Sequence, residues 1–444
     1  MSLLVKKYLS NTAWMVGGRA FKMVVGFVAT ALVARYLGPE KFGLLNYCFS
    51  LVGIAMIFVV MGLETIVVRE LVKRPNIRSE ILGSCMFLQS LGVGVSFVLL
   101  ILLQQLFHLE GEAKTLLLIG AISLLFRPLG TLRFLFEAKV EARSIALVEF
   151  FQALIGVGLR VLFVYLKAPL GWFAFCLSLE WILLGGGFLL IYVKRYHNKT
   201  TALFSFSIAR SRQLLSYSWP LFLSAATIIL HQQVDRIMIK ELLAGAGNEQ
   251  VGYYSAAIRI CIFVIFIPQM IASSLTPALV DAHKSDERKY QHLITVFMDI
   301  MNWVGIGLSM TLFLLAKPLI LISYGPSFSA AVIILQVAAW KGFLTATGMA
   351  SGRQSTVENL QRYSYLRNLI GLMLNVVLNW FFIPRYNALG AAFATVASMF
   401  TANVISHIII PAYWHIFKSQ IYSFAVGWYR LPRELYRMRK TIDV

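Results

Sequence analysis

Charge is scarce in this chain: only 14% of its 444 residues are Asp, Glu, Lys or Arg, where soluble domains carry about 25%. That shortage, with 59% hydrophobic residues, excludes an ordinary soluble globule and points to a polytopic membrane protein. Cysteine is rare too. Cys48, Cys85, Cys176 and Cys261 fall singly inside apolar runs without C-x-x-C spacing, which assigns them to packing and not to a disulfide framework. The signatures of catalysis are missing as well. There is no G-x-x-x-x-G-K-[ST], so no ATP hydrolysis through a P-loop, and no H-E-x-x-H, G-x-S-x-G or carboxylate pair in an outside loop. No cofactor, metal ligand set or catalytic residue is therefore expected. The first apolar run is too long for a cleavable signal peptide, and no small-residue cleavage site follows it.

What is present is a series of apolar runs of about 20 residues. They fall at 12–36, 43–66, 81–106, 115–136, 144–166, 171–193, 214–239, 251–279, 291–315, 328–350, 363–383 and 388–414. The expected fold class is therefore an all-α membrane protein of twelve transmembrane helices. Acidic residues number 20 against 40 Lys and Arg, a net charge of +20, and the excess alternates by loop. One side holds Lys6 and Lys7, then Arg69, Lys73, Arg74 and Arg78, then Lys139 and Arg143, and so on to the basic tail. Loops on the other side carry about one cation each, such as Lys41, Lys114 and Lys167. By the positive-inside rule both termini are cytoplasmic. The charge thus belongs to loops facing an anionic leaflet, and no nucleic-acid partner is expected. The outside loops are short, which leaves no room for an external catalytic domain. The N-x-T at Asn198 falls in an inside loop and reads as chance.

Residues 140–171 repeat at 359–390 with a constant offset of 219. In the fifth span Glu149, Gln152, Gly156 and Arg160 share one helical face, and at that offset the eleventh span places Asn368, Gly371, Asn375 and Asn379. FGLLNYCFS from Phe42 is echoed by VGYYSAAIR from Val251. Two six-helix halves in parallel orientation follow. The expected organisation is a lobe at 1–195, a cytoplasmic linker at 196–213, a second lobe at 214–414 and a basic amphipathic tail at 415–444.

Within the spans, leaving aside Arg35, Glu64, Arg133 and Arg367 near their ends, lie seven cations, Arg19, Lys22, Arg127, Arg160, Arg236, Arg259 and Lys341, against four anions, Glu149, Glu180, Asp235 and Asp299. Charge facing lipid is too costly, and purely mutual ion pairs would balance in number, so the surplus is expected to face an aqueous cavity between the halves. The first span continues its face from Arg19 and Lys22 through Gly26 to Thr30; the seventh carries Ser224, Thr227, His231 and Asp235. Thr30, Gln152, Asn375 and Asn379 are the expected polar lining. Each has a structural alternative. Arg19 can snorkel to the cytoplasmic surface, Asp235 and Arg236 can neutralise neighbours, and His231 can be an interhelical hydrogen-bonding histidine instead of a proton carrier. Pro128, Pro220 and Pro268 permit kinks. The tail YSFAVGWYRLPRELYRMRK reads as an interfacial segment on the cytoplasmic leaflet.

NTAWMVGGRAFKMVVGFVATALVARYLGPEKFGLLNYCFS and VDRIMIKELLAGAGNEQVGYYSAAIRI resemble bacterial polysaccharide repeat-unit flippases, the Wzx-type O-antigen and capsule transporters of the multidrug/oligosaccharidyl-lipid/polysaccharide exporter superfamily. The resemblance runs through the whole chain. It implies a V-shaped pair of six-helix bundles in the bacterial inner membrane. It also implies transfer of an undecaprenyl-pyrophosphate-linked oligosaccharide from the cytoplasmic to the periplasmic leaflet, without enzymatic chemistry. Arg19, Lys22, Asp235, Arg236 and Arg259 would fall on its cavity helices. Coupling to H⁺ or Na⁺ through Asp235 or His231, and a polysaccharide polymerase and chain-length regulator as partners, belong to the same expectation. Lipid II flippases carry two further helices. The rival readings are a multidrug or other lipid-linked-sugar exporter on this scaffold and, further off, a polytopic glycan polymerase or ligase.

Overall fold

The computed structural model describes the backbone of residues 3–196, 204–360 and 363–442, and side chains of residues 17–18, 20–195, 204–360 and 363–434. The described residues form helices and no strand. They fall into two compact units, Met1–Ile237 and Met238–Val444.

The first unit holds α1 (Leu3–Ala55), α2 (Ile57–Val60), α3 (Leu63–Lys73), α4 (Arg78–Leu106), α5 (Gly111–Leu125), α6 (Leu132–Ala138), α7 (Ala142–Tyr165), α8 (Leu170–Tyr196) and most of α9 (Ile208–Leu242). The long α1 is two helices joined at Gly38, whose φ of 73° suits glycine, with Pro39 next. The break falls between the first two expected spans. At the fourth span, a short 3₁₀ turn from Arg127 to Thr131, with Pro128 in its first turn, bends the path by 40° from α5 to α6.

The second unit holds α10 (Gly247–Ser285), α11 (Glu287–Leu314), α12 (Ala316–Tyr324), α13 (Ala331–Ala338), α14 (Trp340–Val357), α15 (Ser364–Phe400), α16 (Ser406–Ile409) and α17 (Trp414–Ile442). α11 starts where the Asp286 side chain accepts from the Arg288 and Lys289 amides at 2.9 and 3.2 Å, an N-cap. α15 is interrupted at Asn387 (φ 52°, ψ −141°), between the last two expected spans. Among the described residues nine helices are long and apolar enough to cross a membrane, or ten with the bent α5–α6 pair.

Outer faces carry the apolar side chains a lipid-soluble bundle requires. On α7 Phe151 and Leu154, and on α15 Met373, Val377 and Trp380, are at least half exposed, while polar residues of the same helices turn inward. Inside each unit, small and apolar residues bring helices together by close packing. Leu63, Val67, Leu82, Leu135 and Phe136 are buried at one such centre in the first unit, and Tyr290, Phe297, Met301 and Tyr413 at one in the second.

Two features bear on the expected organisation. The two compact units divide inside α9, and of the expected linker at 196–213, residues 197–203 lie outside the described residues. Residues 204–237 belong with the first unit because they bond to it: the Ser205 amide donates to the Ser79 carbonyl at 3.2 Å, Arg210 lies 3.4 Å from Glu80, and the Leu221–Phe222 backbone packs on Gly62. The expected tail packs one face of its helix on the protein. Ile416, Gln420, Ser423 and Gly427 form a buried stripe of α17, with Ser423 bonded by Asn302 at 3.0 Å. Arg430 grips Asp299 through two hydrogen bonds of 2.6 and 2.8 Å. Asp299 is thereby paired.

Candidate functional site: cations and polar faces in the spanning helices

On α1 the backbone of Arg19 is helical, but its side chain lies outside the described residues. Lys22, one turn on, is half-buried. The Thr30 hydroxyl donates to the Gly26 carbonyl at 2.7 Å, so its polarity is satisfied within its own helix.

α9 supplies His231, Asp235 and Arg236. Asp235 is buried, and the other two are half-buried. Arg236 donates to the Gln233 side-chain carbonyl at 3.0 Å, and Gln233 lies against Gly53 of α1, where a Cβ would come within 3.0 Å of it. A residue absent from the sequence-based set, Gln233, therefore holds the Arg236 guanidinium while docking two helices.

Arg127 opens the 3₁₀ turn and places its guanidinium 3.0 Å from the centroid of the Trp181 ring. Its Nε has no hydrogen-bond partner among the described residues. A desolvated cation over indole is stabilised by about 2 kcal/mol. Trp181 was not among the expected site residues; an aromatic in an apolar run gives no signal of such a role.

The α7 face behaves differently from its reading as lining. Arg160 is buried and ion-paired with Glu180 of α8. Gly156, one turn earlier, makes the room: a Cβ there would meet Glu180 Oε1 at 2.8 Å. Glu149, at the other end of the face, lies 3.7 Å from Arg133. Gln152 is buried between them, with Oε1 lacking a hydrogen-bond partner among the described residues. Arg160 is thus part of an internal pair, because the α7–α8 packing supplies a carboxylate that removes its need for another anion.

On α15 Asn375 and Asn379 are likewise fully buried, and the Asn379 amide donates to Asn375 Oδ1 at 3.3 Å. Gly371 packs on Ala402 and the Ser398 carbonyl, a close helix approach. Both asparagine side chains lie in the interior of their unit in this structure.

Of the remaining cations, Arg259 sits well inside α10 and is exposed, and Lys341, at the start of α14, is half-buried. Outside the spans, Glu358 accepts from His415 at 2.6 Å, Tyr290 at 2.8 Å and Gln354 at 3.0 Å. Burial pushes the Glu358 carboxyl up, but these bonds outweigh it and leave it below its ordinary range. The bond to Glu358 raises His415 above its usual value, against the opposing effect of burial.

These helices and their buried polar faces define a polytopic helical membrane protein with a transporter fold. The structure is similar to an inward-facing multidrug resistance MATE family transporter of the MOP superfamily, with a TM-score of 0.70, 15% identity, and coverage of 93% of this chain and 95% of that one. It is similar also to the lipid II flippase MurJ in an inward closed conformation, with a TM-score of 0.68, 16% identity, and coverage of 93% and 90%. At these identities the likeness shows the fold alone. In sequence the chain is 19% identical to the capsular polysaccharide biosynthesis protein CapF of Staphylococcus aureus, over 92% of this chain and 99% of CapF. A protein of Escherichia coli K12 named for O-antigen transport is 22% identical, over 82% of this chain and 88% of that one. Residues 8–283 match the family described as "Polysaccharide biosynthesis protein", and the chain belongs to that family.

Proposed function

We propose that this protein is a flippase moving undecaprenyl-pyrophosphate-linked oligosaccharide repeat units from the cytoplasmic to the periplasmic leaflet of the bacterial inner membrane, for O-antigen, capsule or exopolysaccharide synthesis. The observation that carries the reading is the family match over residues 8–283, on a fold shared with the lipid II flippase. It is a transporter, not an enzyme, as its relatives' names are those of transporters and biosynthesis proteins. Taking α1 and α15 each as two spans, broken at Gly38 and Asn387, brings the ten candidate crossings to twelve, with both termini cytoplasmic by the charge bias.

A glycan and a pyrophosphate cannot enter hydrocarbon unaided, since bare charges and unsatisfied polar groups are very costly there. Cations on the spanning helices lower that cost by charge-assisted hydrogen bonds to phosphate. Arg19, Lys22, Arg127, Arg236, Arg259 and Lys341 form the proposed set; Arg160 is left out because Glu180 already neutralises it. Alternating exposure to the two sides then carries the headgroup across while the lipid tail stays in the bilayer. Asp235 or His231 would couple the movement to H⁺ or Na⁺, and a polymerase with its chain-length regulator would receive the product.

Expression in a bacterium deleted for its own repeat-unit flippase tests the reading. Restored surface polysaccharide is expected; repeat units that stay facing the cytoplasm despite normal insertion would refute it. A multidrug exporter has the same scaffold in its favour, but cationic drugs favour an acidic surface and the surplus here is basic.

A further inference from the structure

A second basic feature lies away from these spanning faces, at the end of α3 on the side the charge bias assigns to the cytoplasm. A cleft of about 410 Å³ opens between α3 and the first turns of α9, lined by Arg69, Glu70, Lys73, Arg74, Gln213 and Tyr217. That volume is within the ~300–1,000 Å³ usual for small-molecule sites. Glu70 is 5% exposed, with Arg69 at 3.7 Å and Arg74 at 3.9 Å. Both distances exceed those of direct charge-assisted hydrogen bonds. Lys73 has no ion-pair partner among the described residues. One carboxylate thus faces three cations, and two positive charges are left over in a concave site.

The cleft is also held in shape. Arg69 lies 5.5 Å from the centroid of the Tyr217 ring, Gln213 donates to the Tyr217 hydroxyl at 3.3 Å, and Arg210 donates to Gln213 at 2.5 Å. Arg210 is itself neutralised by Glu80 at 3.4 Å, so it orders Gln213 without adding to the surplus. A comparable cleft in the second unit, of about 570 Å³, sets only Lys284 and Arg353 against Asp281 and has half the surplus.

We infer that the α3–α9 cleft is a loading site for the pyrophosphate of the lipid-linked substrate, an inference that rests on the flippase reading above. A diphosphate brings the two negative charges the cleft lacks. Its oxygens accept from Lys73 and from the guanidinium edges of Arg69 and Arg74 that Glu70 does not saturate, and Glu70 keeps both arginines aimed at the cleft. Tyr217 offers a face for the first sugar. The headgroup is thereby collected at the cytoplasmic surface before it meets the cations deeper in the spans.

The test uses the full chain in nanodiscs of neutral lipid, titrated with undecaprenyl pyrophosphate, with phosphatidylglycerol and with inorganic pyrophosphate. Wild type and R69Q/K73Q are compared, after checking that both elute and melt alike; K73Q alone serves where the double variant does not. Loss of two charge-assisted bonds is expected to weaken undecaprenyl pyrophosphate binding by about tenfold or more, with inorganic pyrophosphate competing and phosphatidylglycerol binding little changed. Equal weakening toward phosphatidylglycerol would make the cleft a general anionic-lipid site and overturn the assignment. Unchanged undecaprenyl pyrophosphate binding would also overturn it. Rescue of the flippase-deleted strain by wild type separates the two failures: rescue with unchanged binding sinks only the loading site, while no rescue sinks the flippase reading itself.

Discussion

α7 and α15 stand at the same offset in the internal repeat, and each carries a polar face through an apolar helix, yet they make that face tolerable by different means. α7 uses charge, with Glu149 against Arg133 and Arg160 against Glu180. α15 uses neutral amides, Asn379 on Asn375, and a glycine that draws the next helix close. A charged pair in a low-dielectric interior is stable only while both partners are present, because removing one leaves an uncompensated ion. An amide pair is worth about 1 kcal/mol within a membrane bundle and can be lost cheaply. The same pattern in sequence therefore has opposite consequences for mutation. A polar stripe by itself does not mark a transport path.

The comparison breaks most visibly at Glu180. Glu180→Leu is expected to destabilise the first unit by about 3–5 kcal/mol, read as a large fall in the melting temperature of detergent-purified protein. Arg160→Leu/Glu180→Leu should recover most of that loss. Equal melting of the single and double variants would show that the pair is not what makes α7 tolerable. Next comes Gly156→Ala, whose Cβ would meet Glu180 Oε1 at 2.8 Å. Overpacking of this kind costs about 1–3 kcal/mol, and the cost should fall in the Arg160→Leu/Glu180→Leu background, where the Oε1 contact is gone but side-chain carbons remain, a coupling that a double-mutant cycle measures.

Asn375→Leu on α15 is expected to shift stability by no more than about 1 kcal/mol, since it removes one 3.3 Å bond and also a buried amide nitrogen that has no partner among the described residues. A fall as large as that of Glu180→Leu would erase the contrast between the helices. The smallest effect is expected at His415–Glu358. His415 has a raised folded pKa, so its contribution is complete below its ordinary value of 6.5 and is lost as pH rises through the folded value. Glu358 has a lowered one, so its contribution is complete above 4.5 and is lost as pH falls through its folded value. The protein should therefore melt slightly higher near pH 6 than near pH 9, by on the order of a degree for a pair whose histidine is half-exposed. His415→Ala should flatten that slope, and a slope that survives the substitution would assign it to other groups.

Much of this architecture is legible in the residues alone. Apolar run length places the spanning helices, and Gly38 followed by Pro39 marks the break in α1 because few other residues adopt that φ. The list of cations in the spans is equally plain. Their partners are not. Arg160 and Glu180 are 20 residues apart, and Asp299 and Arg430 are 131 apart. Such pairs are set by which helices pack together and which faces meet, quantities that periodicity along one helix does not contain. The tail shows the same limit: its amphipathic pattern is real, but Ile416, Gln420, Ser423 and Gly427 turn toward protein. Whether an apolar stripe meets lipid or a neighbouring helix depends on what lies opposite it.

The central claim is that Arg160, ion-paired with Glu180, holds the fold, whereas the cations of the proposed set, Arg259 among them, are proposed to meet the substrate. Surface polysaccharide in the flippase-deleted strain tests it most directly, with Arg160→Leu/Glu180→Leu and Arg259→Gln compared at matched membrane expression. The account predicts that the first variant exports near the wild-type level and the second exports little or nothing. Loss of export in a well-folded Arg160→Leu/Glu180→Leu protein, with export intact in Arg259→Gln, would contradict it.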